Sequence, residues 1–82
     1  MKFIVELVLK PGSTYRAMDA FELRGPNRNP GVALRGAWVG IRSELVYALV
    51  ESDDEELVRN ASGAWADVGE CKIHPVVEIE QF

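Results

Sequence analysis

One histidine, one cysteine, two tryptophans and a carboxylate set among apolar neighbours are the residues of this 82-residue chain with chemistry to offer. The single imidazole, His74, lies in the run Cys71-Lys72-Ile73-His74-Pro75, where strand alternation puts it with Lys72 and opposite Cys71 and Ile73. Glu6 stands between Ile4 and Val8 on one face of KFIVELVLK, and a carboxylate on an apolar strand face needs a partner or a proton. On one surface, Glu6 and His74 could move a proton for a bound molecule. Each also has a plainer reading, as a rim carboxylate paired with a base and as an edge-strand histidine without a role. Trp38 and Tyr47 could give aromatic walls and a phenolic donor to a small apolar or aromatic ligand, or could pack in the core. The candidate ligand-binding set is Ile4, Glu6, Val8, Trp38, Tyr47 and His74, with Glu6 and His74 as candidate acid or base.

Other chemistries lack their residues. Cys71 and His74 are too few for a zinc site, and Cys71 has no partner for an internal disulfide. The chain has no Gly-rich phosphate loop, no G-x-S-x-G elbow and no histidine pair at ligand spacing, so neither cofactor nor metal is expected. The acidic run Asp53-Asp54-Glu55-Glu56 reads as the start of a helix, and Arg35 and Arg42 as solvated surface cations. Thirteen acidic against nine basic side chains give a net charge of −4, which repels phosphate backbones and anionic lipid. Nucleic acid and membrane partners are not expected. No apolar run reaches the roughly 18 residues of a membrane span, and Met1 to Lys10 lacks the features of a signal peptide. A cytoplasmic protein is expected, which makes the glycosylation pattern at Asn60-Ala61-Ser62 a chance match.

The elements that must position these residues follow from periodicity. Hydrophobic residues at 48% and charged residues at 27% describe one packed domain over residues 1–82. In Lys2 to Lys10, Phe3, Val5, Leu7 and Leu9 alternate without a break, which predicts a strand. Pro11-Gly12 stops it, Ser13 or Thr14 can cap a helix, and Tyr15 to Leu23 follows with Ala17, Met18 and Phe21 on one face. The turn formers from Gly25 to Gly31 predict a loop. Gly31 to Val39 and Glu44 to Glu51 are two strands joined by the hairpin Gly40-Ile41-Arg42-Ser43. Ser52 and Glu55 have the spacing of a capping box, and Leu57, Val58, Ala61, Trp65 and Val68 recur at helical intervals up to Gly69, a position for a left-handed C-cap. Cys71 to Glu80 is the last strand, at a sheet edge because Pro75 has no N–H to donate.

The order β-α-β-β-α-β with right-handed crossovers predicts an α+β, ferredoxin-like fold: a four-stranded antiparallel sheet, two central strands, and both helices on one face. The other face has no cover from this chain. It still receives Ile4 and Val8, and the third strand is apolar on both sides. Burying some five such side chains is worth about 1.5–3 kcal/mol each at most, against an association cost of about 4–15 kcal/mol. A homodimer meeting through the sheet face is therefore expected, with a pocket between the faces.

The segment Gly31-Val32-Ala33-Leu34-Arg35-Gly36-Ala37-Trp38, the run from Tyr47 to Asp54, Trp65-Ala66-Asp67 and Pro75-Val76 resemble a bacterial family of unknown function related to the dimeric α/β barrel superfamily. The likeness spans about 50 residues plus the first strand and consists of apolar, Gly and Trp positions. It implies a ferredoxin-like protomer that pairs sheet to sheet, in a superfamily of small-molecule monooxygenases, isomerases, cyclases and members without known activity. Val39 stands where the family pattern leads us to expect a polar residue such as histidine, and Asn27-Arg28-Asn29 is unusual for its loop. The functional expectation is a homodimeric small-molecule-binding protein with its pocket on the helix-free face. The alternatives are a small cofactor-free enzyme of isomerase, cyclase or monooxygenase type, with Glu6 or His74 moving a proton, and a protein-interaction module.

Overall fold

In a computed structural model of the chain, residues 1–24 and 29–82 are described, without the side chains of residues 23 and 24. The alternating first segment forms β1 (Lys2–Leu9), and α1 (Thr14–Arg24) follows a turn in which Gly12 takes a positive φ of 77°. Then come β2 (Ala33–Val39), β3 (Leu45–Glu51), α2 (Glu55–Gly63), β4 (Gly69–Val76) and a 3₁₀ turn at Ile79–Gln81. The expected loop at Gly25–Gly31 falls partly outside the described residues, at 25–28.

All four strands form one antiparallel sheet in the order β2-β3-β1-β4, with β1 and β3 central. This is the ferredoxin-like arrangement, and Pro75 is on an edge strand. Phe3, Leu7 and Leu9 are buried, as are Ala17 of α1, Val50 of β3 and Val58 of α2, so the odd-numbered face of β1 meets the helices. Val5, Ile73 and Cys71 pack against the same core. Trp65 packs there too, with its ring centroid 6.4 Å from that of Phe21.

Four local expectations are corrected. The cap of α2 is Asp54, whose carboxylate accepts the Glu56 N–H at 2.9 Å; Ser52 instead accepts the Asp54 N–H and donates to the Asp54 carbonyl, an Asx-like turn one step earlier. Second, α2 ends at Gly63 with Ala64 right-handed, and tight turns carry the chain through Trp65 and Val68 to β4. Gly69 is no left-handed cap. It opens β4, where a Cβ would run into the Val8 carbonyl of β1. Third, β4 begins two residues early and ends at Val76, since Pro75 removes a ladder donor and the chain leaves the sheet beyond it. Fourth, Trp38 is not core: it is 59% exposed.

The fourth follows from a bulge. Leu34 faces Val50 and Gly36 faces Leu49, so Arg35 is an extra residue and the alternation of β2 changes face there. Beyond it, Ala37 and Val39 turn to the helices, opposite Ala48 and Val46. Gly36 and Trp38 turn away, opposite Leu49 and Tyr47.

Candidate functional site

Ile4, Glu6 and Val8 of β1, Tyr47 of β3, Trp38 of β2 and His74 of β4 all stand on the helix-free face. Register places Ile4 beside Leu49 and His74, Glu6 beside Tyr47 and Lys72, and Tyr47 beside Trp38. The His74 imidazole Nε2 and the Glu6 carboxylate are 3.8 Å apart, diagonal neighbours on adjacent strands. That distance allows an ion pair when the imidazole is protonated and is too long for a hydrogen bond. Ile4 is exposed, and the Trp38 ring lies over Gly36, where its Cζ2 and Cη2 fill the space of a missing side chain.

An apolar cavity of about 120 Å³ lies on the opposite side of the sheet, under the two helices. Its origin is in the sequence. Ala17 of α1, Ala37 of β2, Ala48 of β3 and Ala61 of α2 all face it, and Ala37 and Ala48 are cross-strand partners. Where four elements each contribute the smallest side chain to a shared layer, larger neighbours cannot close the gap. Met18 and Phe21 on α1, Val58 on α2, Trp65 in the turns that follow it, and Val5 and Leu7 on β1 also line the wall.

Polar groups in this wall are few. Asn29 and Ser62 contribute, the Ser62 hydroxyl donating to the Val58 carbonyl at 2.8 Å. Among the described lining residues only Cys71 can ionise, and burial pushes its thiol pKa upward and keeps it protonated, with Sγ donating to the Ser62 carbonyl at 3.7 Å. The described wall of the cavity is therefore apolar and uncharged.

A wider groove of about 440 Å³ runs past Met1, Pro30, Arg35, Glu51 and Asp53. It is open and polar, and Arg35 is already tied to Glu51 at 3.0 Å. Among the described residues no group of three or more His, Cys, Asp or Glu is placed to hold a metal ion, and no helix is long and apolar enough to cross a membrane.

The model of the family described as Domain of unknown function (DUF3303) matches residues 1–82. The chain belongs to this family. No curated protein and no solved structure matches it. The DUF3303 match thus covers both the helix-free face and the cavity, and gives neither an activity.

The six residues singled out from the sequence are brought together on one surface, while the cavity is lined by others. Its signal was available: an alanine at a core-facing position in each of four elements.

Proposed function

We propose that this chain is a homodimeric small-molecule-binding protein in which two copies meet through their helix-free sheet faces and each holds a small apolar ligand under its helices. The observation that carries the ligand reading is the alanine-lined cavity. A concave apolar site with few polar groups is what ligand pockets share. The pocket is therefore proposed on the helix side of the sheet, and the helix-free face as the dimer surface.

The dimer is supported by what that face exposes and by how the edges are protected. Ile4, Trp38, Val8, Leu45, Tyr47 and Leu49 adjoin one another on it. Four strands of about eight residues present roughly 500 Å² of flat face, more with side chains standing out, against about 800 Å² per partner in stable complexes. Edge-to-edge pairing is discouraged by the bulge at Arg35 on β2 and by Pro75, Lys72 and Glu70 on β4. Kinship with the dimeric α/β barrel superfamily, a bacterial source and a cytoplasmic setting complete the proposal.

Binding is favoured over turnover because Glu6 and His74 face away from the cavity, across the sheet. The test uses Trp65, which lines the cavity. In Trp38→Phe it is the one remaining tryptophan of two, so its emission reports the site. Titration with a library of small neutral compounds is expected to shift that emission saturably. Glu6→Gln and His74→Ala are expected to leave the apparent affinity unchanged. Loss of affinity in either would move the pocket to the helix-free face and revive the enzyme reading.

A further inference from the structure

The cavity narrows the ligand class, given the proposed function just stated. Volume sets its size. At about 120 Å³, the space is well below the roughly 300–1,000 Å³ of sites that hold drug-sized molecules. It is close to an engineered cavity of about 150 Å³ that stays dry and takes up benzene or xenon. The wall sets its charge. Among the described residues no carboxylate, amine, guanidinium or imidazole lines the space, and the Cys71 thiol stays protonated. An ion entering would give up its hydration with nothing to replace it.

The polar groups that are present set the remaining chemistry. The Ser62 hydroxyl spends its proton on the Val58 carbonyl, and the Cys71 thiol faces the Ser62 carbonyl. Ser62 can therefore accept a hydrogen bond while its own proton is already committed, and the other polar lining residue, Asn29, is exposed at the rim with its amide open to water. Phe21 and Trp65, both lining the cavity and tilted 36° to one another, give aromatic surface to a planar guest.

We propose that the cavity of this chain binds an uncharged single-ring molecule, aromatic or of equal bulk, bearing at most one hydrogen-bond donor. The volume favours one ring over fused rings, and the described wall offers no partner to a carboxylate or an amine.

Methyl-selective NMR of the full chain, following Val5, Val46 and Val58, tests this with benzene, phenol, benzoate and naphthalene. Benzene and phenol are expected to shift these methyls saturably, each binding at least about tenfold more tightly than benzoate because the carboxylate would be stranded in an apolar space. Naphthalene is expected to leave them unmoved. Ala61→Leu should weaken benzene at least about tenfold by filling the space, and Ala48→Leu, from the sheet side, should do the same if the first variant folds poorly. Benzoate or naphthalene binding as tightly as benzene would overturn the ligand class and leave the site standing. If none of the four moves the methyls while the Trp65 screen finds a ligand, the size and charge assignment is wrong. If both are silent, the site itself is refuted.

Discussion

Two glycines of this chain carry opposite expectations. At Gly69, opposite Leu9 in the β1–β4 ladder, a Cβ would strike the Val8 carbonyl and crowd the Leu7 side chain. Backbone paired in a ladder cannot yield as a side chain does. Gly69→Ala is therefore expected to lower unfolding free energy by about 1–3 kcal/mol. Gly63, at the end of α2, has nothing within 4 Å of the same position and no positive φ. Gly63→Ala should raise stability by about 0.4–1 kcal/mol, because the unfolded chain loses freedom it no longer needs. Urea denaturation of both variants checks the signs. From the sequence, Gly69 resembled a helix terminator, because glycine after an apolar helical stripe satisfies that rule and close approach to another strand leaves no local trace. The face of Glu6 and His74 was legible, since both lie on regular strands where alternation counts correctly. That of Trp38 was not: parity from Leu34 would send it to the helices, and the extra residue at Arg35 reverses it. Arg35 carries no composition signal for a bulge.

At the scale of elements, β1 follows its alternation from end to end, whereas the start of α2 shifts within a run of competing caps. Alternation puts Phe3, Leu7 and Leu9 on one face of the predicted strand, and all three are buried. The α2 cap was displaced because Ser52, Asp53 and Asp54 are all competent caps, and the winner depends on where β3 releases the chain. Ser52 is buried and bonded back to Asp54, which leaves Asp54 at the junction with extended backbone and its carboxylate on the Glu56 N–H. Asp54→Ala is expected to cost about 0.5–2 kcal/mol with a loss of helical signal, whereas Asp53→Ala, at an exposed position, should stay within about 0.5 kcal/mol. Circular dichroism during thermal unfolding separates the two. The cavity belongs to this scale as well. Each alanine on its own is an ordinary core residue. The void exists only when β2, β3, α1 and α2 bring Ala37, Ala48, Ala17 and Ala61 to one place.

For the whole molecule, the two faces of the sheet have different assignments. One is covered by helices that leave a small apolar space. The other shows Ile4 and Trp38 to solvent, with Glu6 and His74 within ion-pairing reach among them. On the dimer proposed above, this apolar face with its protected sheet edges would meet the same face of a second copy across a two-fold axis. A charge at the middle of that face, as in Ile4→Glu, would be desolvated beside Glu6 on association and should drive the chains apart, while in the single chain the position is solvated enough for the fold to persist. The proposed ligand site and the proposed dimer surface can be tested separately, because the cavity lies on the other side of β1. Sedimentation equilibrium of the unmodified chain at micromolar concentration tests the dimer most directly. The expected result is twice the 9.1 kDa chain mass, falling to the single-chain mass in Ile4→Glu. A clean 9.1 kDa species for the unmodified chain would contradict it.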